Sequence, residues 1–293
     1  MFIATLIASD HLSAGDISAG MDRLASSGCA PSVHGWIDAG KAADILFDAG
    51  PDAARTALEG AFTGVDIVVQ AVAGRAKKLL IADMDSTMIT VECIDELADY
   101  AGIKPQIAAV TEAAMRGELD FEAALDARVA LLAGLEEAAI ERCLAERVQI
   151  MPGAVALIAT MRARGATAIL VSGGFTRFAE PVAAQIGFHR AIANRLEIAD
   201  GLLSGTVAKP IVGSDTKLQT LLAATAELGL LPEETLAVGD GANDLAMIKA
   251  AGLGVAYHAK PIVAAAAAAR IDHGDLTALL YAQGIPRAEW VTN

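Results

Sequence analysis

Apolar residues recur along this chain with two periods, and the change from one to the other marks the elements. Residues 2–8, 31–37, 43–48 and 65–70 are short apolar-rich runs that read as strands. Between them Ile17, Met21 and Leu24 share one face of a helix over Asp16–Ala25, and Pro51 opens a second helix through Leu58 to Ala61. From residue 79 the apolar runs become continuous: Leu79–Ala82, Ala166–Val171, Thr235–Val238 and Gly254–Tyr257. Unbroken runs of this length mark parallel strands covered on both faces. Helical spacing separates them, from Pro152 to Met161, through Phe178, Val182 and Ile186, and over Asp215–Leu228, Asn243–Ala251 and Asp275–Ala282. Ala191–Ile198 and Leu202–Val207 are expected to pair about an Asp200-Gly201 turn. The Ala264–Ala269 tract reads as helix.

Residues 1–72 therefore give the order β-α-β-β-α-β of a ferredoxin-like sandwich. That order resembles the ACT-type domains, which implies amino-acid binding, although no motif within it points to a ligand. Residues 73–78 carry Gly74, Arg75, Lys77 and Lys78 and read as a linker. Beyond it, alternating strands and helices predict an α/β, doubly wound parallel sheet built from 79–91 and 150–293. Residues 92–149 interrupt it with helical stripes only, such as Ile94-Leu97-Ala101 and Phe121-Leu125-Leu132. A helical insert at that point sits over the strand ends as a cap.

Composition narrows the partners. With 54% hydrophobic but only 4% aromatic residues, the core must be packed from Leu, Ile, Val and Ala. A formal charge of −14 leaves no nucleic-acid and no membrane partner expected, and an anionic substrate needs local cations or a metal. Cys29, Cys93 and Cys143 are odd in number and widely spaced. They are expected to be reduced thiols of a cytoplasmic protein, with neither a disulfide frame nor a zinc site. Met1–Ala8 lacks a basic leader and is cut short by Asp10, so no signal peptide is expected, and the apolar stretch 251–269 is broken by His258, Lys260 and Pro261. His11, His34, His189, His258 and His273 lack ligand spacing and read as structural or solvent-facing.

Three predicted strands end in polar residues. Asp83, Asp85, Ser86 and Thr87 follow the first, Ser172-Gly173-Gly174 the second, and Gly239-Asp240-Gly241-Ala242-Asn243-Asp244 the third. Lys217 lies between the last two. In a parallel sheet the carboxyl ends of the strands share one edge, where ligands bind. Residues two apart on a strand share a side, so Asp83 and Asp85 face one way and repel unless a cation or proton is shared. With Asp240 they make an oxygen-rich set suited to Mg²⁺. Ser172 and the Gly173 N–H suit phosphate oxygens, since glycine lets backbone approach closely, and Lys217 adds a point charge. Each feature alone is an ordinary turn or surface residue; their placement on successive strand ends points to phosphate chemistry.

Residues 79–283 resemble the haloacid dehalogenase superfamily, through Asp83-Met-Asp85-Ser-Thr87, Ser172, Lys217 and Gly239-Asp240-Gly-Ala-Asn243-Asp244. They are more similar still to its phosphoserine phosphatases, through Glu92, the segment Asp120-Phe121-Glu-Ala-Ala-Leu125-Asp-Ala-Arg128-Val129 and Val171-Ser-Gly-Gly-Phe175. The resemblance implies hydrolysis of O-phosphoserine, the last step of serine biosynthesis. Asp83 then attacks phosphorus to form a phosphoaspartate, and Asp85 acts as general acid and afterwards as base. Mg²⁺ is implied on the Asp83 carboxylate, the Asp85 backbone carbonyl and Asp240. Ser172, Gly173, Lys217 and Asn243 are implied around the phosphate, with Asp244 orienting Lys217 or a metal-bound water. In the cap, Arg128 shares a helix face with Phe121 and Leu125. It is expected to clamp the substrate carboxylate, opposite Glu92 on the ammonium, with Phe121 and Met115 as an apolar wall. Two other readings remain: a phosphatase or phosphotransferase for another small metabolite, and an amino-acid-sensing regulatory protein. A homodimer through residues 1–72 is the assembly considered.

Overall fold

The computed structural model describes residues 1–116 and 118–291, and the side chains of His34 and Met115 lie outside the described residues. The chain opens with β1 (Phe2–Ala8), α1 (Ala14–Ser26), β2 (Pro31–Asp38), β3 (Ala42–Phe47), α2 (Pro51–Leu58) and β4 (Val65–Ala71). The strands form an antiparallel sheet in the order β2-β3-β1-β4. Leu6, Ile17, Leu24, Ile45, Leu58 and Ile67 bury against one another as its core. A capping box between Ser13 and Asp16 starts α1. Helix α2 stops at Leu58, short of Ala61, because Glu59 is extended and Gly60 takes φ 71°.

The basic stretch read as a linker is a docked strap. Arg75 is gripped by Asp44 at 2.7 and 2.8 Å and donates to the Ala282 carbonyl at 3.0 Å. Lys77 is buried, and its ammonium caps the carbonyls of Gly74 and Glu233 at 2.7 and 2.8 Å. Asp66, at the start of β4, accepts the backbone N–H groups of Asp272, His273 and Gly274.

Next come β5 (Leu79–Ala82) and four helices, α3 (Cys93–Tyr100), α4 (Lys104–Met115), α5 (Phe121–Ala130) and α6 (Ala138–Glu146). Then follow α7 (Ala154–Ala163), β6 (Thr167–Phe175), α8 (Thr176–Ile186), β7 (Arg190–Asn194), β8 (Leu196–Ala199), β9 (Leu202–Val207) and α9 (Ser214–Glu227). The chain closes with β10 (Thr235–Gly239), α10 (Leu245–Ala250), β11 (Leu253–Tyr257), α11 (Pro261–Ala266), β12 (Ala269–Ile271) and α12 (Ala278–Ala282). A parallel sheet runs β12-β11-β10-β5-β6-β7. Leu80 and Ala82 of β5 pack to one side with α7, α8 and α12; Leu79 and Ile81 pack to the other with α9, α10 and α11. That two-sided burial is why these strands carry no polar alternation.

Three further expectations change. The run Ala191–Ile198 divides at Arg195: β7 joins the parallel sheet, and β8 pairs with β9 as a hairpin. Asp200 and Gly201 turn that hairpin at φ 51° and 77°, as a tight primed turn requires. The Ala264–Ala269 tract is not one helix, because α11 ends at Ala266 and Ala269 begins β12. Strand β6 continues through Ser172-Gly173-Gly174 to Phe175, slipping register against β7 after Val171. Helices α3–α6 leave and rejoin the sheet side by side, through an Ile89–Ile150 bridge flanked by hydrogen bonds of 3.0 and 2.9 Å. Cys29, Cys93 and Cys143 are free, buried thiols. Among the described residues no helix is long and apolar enough to cross a membrane.

Candidate active site

Asp83 and Asp85 stand immediately beyond the carboxyl end of β5, flanked by the ends of β6 and β10. This sheet edge gathers the site. Lys217, from the first turn of α9, has no exposed surface. Its ammonium lies 2.5 Å from Asp83 Oδ1 and 2.6 Å from Asp244 Oδ1. The other Asp244 oxygen accepts the Gly241 N–H at 3.0 Å. Thr87 Oγ1 approaches Asp240 Oδ1 at 3.5 Å.

Asp83, Asp240 and Asp244 each offer an oxygen within 4.8 Å of the others. Three carboxylates about one lysine leave excess negative charge in a buried place. Burial pushes Asp83 well above the usual carboxylate range, with Lys217 opposing and Asp244 and Asp85 adding to the rise. Burial, then Asp244 and Glu92, raise Asp240 to about 6. Burial works against the Lys217 charge, but Asp83 and Asp244 outweigh it and its pKa is raised. Hard oxygen donors with unbalanced negative charge fit a divalent cation such as Mg²⁺.

Asp85 has a separate environment. Its Oδ1 accepts the Cys93 N–H at 2.9 Å and its Oδ2 accepts the Ser172 hydroxyl at 3.3 Å. Burial first, then Glu92, raises it to about 6, against the pull of the Cys93 hydrogen bond. A carboxyl group poised there can give and take a proton near neutral pH. Ser86 takes φ 54°, a conformation uncommon outside glycine, and its hydroxyl donates to Glu92 Oε1 at 2.7 Å. The glycines are needed for closeness. A Cβ on Gly174 would stand 2.9 Å from Asp85 Oδ2, and one on Gly239 2.4 Å from the Asp244 carboxyl carbon.

A cavity of about 300 Å³ opens over these groups. Asp83, Asp85, Glu92, Phe121, Arg128, Gly173, Asp240 and Asn243 all line it. Phe121 lies across Gly173 and Gly213, where added Cβ atoms would come within 3.1 Å of its ring. Arg128 is half-buried, donates to the Ala124 carbonyl at 3.2 Å, and meets no carboxylate within 4.0 Å among the described residues. Burial lowers its pKa, with Asp95 and Glu92 opposing. Ser172 and Lys217 are fully buried and stand behind this wall, against Asp85 and Asp83. The expected Met115 side chain lies outside the described residues.

Three contributors escaped the sequence reading. Asn194, buried at the end of β7, donates to the carbonyls of Gly173 and Val212 at 2.9 and 3.0 Å and accepts the Val212 N–H at 2.7 Å. It ties the Ser172-Gly173 segment to the loop that leads into the Lys217 helix. Lys260, just past β11, lines the cavity, and its backbone N–H donates to the Asp240 carbonyl at 3.2 Å. Ile94 completes the apolar wall. Asn194 and Lys260 follow carboxyl ends of parallel strands, the same signal that revealed Asp83 and Asp240.

A family model described as haloacid dehalogenase-like hydrolase matches residues 80–249. The phosphoserine phosphatase of Streptomyces coelicolor is 48% identical over 240 residues, which is 80% of this chain and 58% of that protein. The chain thus spans little more than half the length of that relative. The solved structure of a probable phosphoserine phosphatase from Vibrio cholerae is 33% identical, with TM-score 0.76, over 96% of this chain and 86% of that one. A structure described as a phospho-aspartyl intermediate analogue of phosphoserine phosphatase is 38% identical, with TM-score 0.65, over 70% of this chain and 98% of its own.

Proposed function

The chain belongs to the haloacid dehalogenase-like hydrolases, and on that premise we propose that it hydrolyses O-phosphoserine to serine and phosphate through a phosphoaspartate on Asp83. The observation that carries this reading is the division of labour between its carboxylates. Asp83, Asp240 and Asp244 gather round one point with Lys217, while Asp85 sits apart on Ser172 and the Cys93 N–H.

In the proposed first step an Asp83 oxygen attacks phosphorus, the bond from phosphorus to the serine oxygen breaks, and Asp85 delivers its proton to that oxygen. In the second, water attacks phosphorus, Asp85 takes the proton, and the bond to Asp83 breaks. Lys217 holds Asp83 Oδ1 in place throughout and offsets charge beside the phosphoryl group. Mg²⁺ held by Asp83, Asp240 and the Asp85 carbonyl, with Asp244 beside them, supplies electrostatic stabilisation of the phosphoryl oxygens when bound. Gly173 N–H, Ser172 and Asn243 are assigned to the phosphate.

The cap, residues 92–149, supplies selectivity. A half-buried Arg128 that meets no carboxylate among the described residues is costly unless a ligand completes it, and the substrate carboxylate does so bidentately. Glu92 then takes the ammonium, and Phe121 screens the phosphate from water. Phosphate release from a panel of phosphorylated metabolites, with and without chelator, tests this. O-Phosphoserine should give the highest kcat/KM, and chelator should abolish turnover. A different best substrate points to another phosphatase of the family, and absence of turnover on every member points to a sensing role.

A further inference from the structure

A second cavity, of about 570 Å³, lies in the seam between the antiparallel and the parallel sheet units. Its walls come from both: Ile7–Ser9 at the end of β1 and Lys41 from the first, and Gly153, Ala156, several residues between 273 and 281, Arg287 and Trp290 from the second. Two cations face it without a carboxylate partner. Lys41 donates to the Ser9 carbonyl at 2.8 Å, and neither it nor Arg287 has a carboxylate within 4.0 Å among the described residues. One carboxylate, Asp275, shares the wall, so the two cations leave a single net positive charge there. Asp275 Oδ1 accepts the Thr277 N–H at 2.8 Å and the Thr277 hydroxyl at 2.5 Å. Asp38 does not line the cavity, but it accepts the Arg287 backbone N–H at 2.7 Å, and its carboxylate reaches the Tyr281 hydroxyl, whose pKa is raised by burial and then by Asp38, with Arg287 opposing. Beside the cations Tyr281 and Trp290 form an apolar shelf, with ring centroids 5.0 Å apart and Trp290 anchored to the Ile285 carbonyl at 3.0 Å.

In a chain of charge −14, unpaired cations in a shared cavity run against the overall field. We propose that this seam binds a small organic anion, its carboxylate between Lys41 and Arg287 and its apolar body on Tyr281 and Trp290. Because both units contribute walls, an occupant ties them together and stabilises the folded chain by mass action.

Benzoate, benzamide and acetate test the charge and the shelf separately. The chain holds 2 tryptophans, so in a Trp36→Phe background Trp290 alone reports. Benzoate should change its emission saturably and raise the melting temperature; benzamide should do neither, and acetate should bind more weakly. Arg287→Ala and Lys41→Ala should each weaken benzoate binding by about tenfold or more, the loss of one charge-assisted contact. In an Arg128→Ala chain, where the other cavity has lost its own carboxylate clamp, the Trp290 response to benzoate should persist, and its loss would overturn the proposal. Calorimetry on the full chain with the same solutes gives the same comparison if Trp36→Phe folds poorly. Equal responses to benzoate and benzamide, no saturable response to benzoate, or unchanged affinity in both Arg287→Ala and Lys41→Ala would each overturn the proposal.

Discussion

Asn194 offers the sharpest quantitative test of how this site is held. Its side chain makes three hydrogen bonds of 2.7–3.0 Å to backbone groups of Gly173 and Val212. Asn194→Ala leaves all three without a partner in a buried place. An unmade buried hydrogen bond costs about 1–3 kcal/mol. The space vacated by the amide admits water, which puts each loss at the low end, so the sum is about 3 kcal/mol. Urea unfolding followed by circular dichroism reads that figure directly. The same bonds connect Ser172-Gly173 with the loop before Lys217, so the two segments proposed to hold the phosphate should drift apart. A misplacement of about 1 Å is worth about 10² in rate, and kcat for O-phosphoserine should fall by that order well below the melting temperature. Asn194→Asp keeps the acceptor for Val212 N–H but sets a carboxylate against two carbonyl oxygens, and should be worse than alanine. Stability loss under about 1 kcal/mol, together with wild-type kcat, would refute the reasoning.

Other outcomes follow from the same geometry. Arg128→Ala should raise KM for O-phosphoserine far more than for an aryl phosphate, and equal effects would remove Arg128 from carboxylate recognition. Lys217→Ala strands Asp83 and Asp244 without their buried partner and should destabilise the fold by about 3–5 kcal/mol; an unchanged unfolding midpoint would contradict the ion pairs. Asp240 is raised to about 6 from 3.8, mainly by burial. A raised carboxyl stabilises the fold fully below its unfolded value and loses that contribution as pH rises through the folded one. In metal-free protein the melting temperature of Asp240→Asn should therefore gain on wild type between about pH 4 and pH 7, and Mg²⁺ should close the gap. Parallel curves would show that Asp240 carries no such burden.

Most of the fold was legible because burial on two faces leaves an unmistakable pattern. Leu79–Ala82 and, past Thr235, Leu236–Gly239 are wholly apolar or small and lie at the centre of the parallel sheet. The acids were legible because strand ends of one polarity converge whatever their separation in sequence. Periodicity did not reveal β12, whose three residues lie at the sheet edge, nor the break at Arg195, where tertiary pairing divides one apolar run between two sheets. Arg75 and Lys77 read as part of a linker because their partners, Asp44, Ala282 and Glu233, are remote in sequence. Asn194 stands at a strand end, the position that marks the acids, but its role lies in joining Gly173 to Val212, which no local motif discloses.

The claim on which the account rests is covalent chemistry at Asp83. The full chain, mixed with O-phosphoserine and Mg²⁺ and quenched in acid within a turnover, should yield one peptide heavier by a single phosphoryl group, with the modification on Asp83. Asp83→Asn, folded and metal-bound, should yield none. Turnover with no phosphorylated Asp83 at any quench time, or a phosphoryl group found on another side chain, would contradict it.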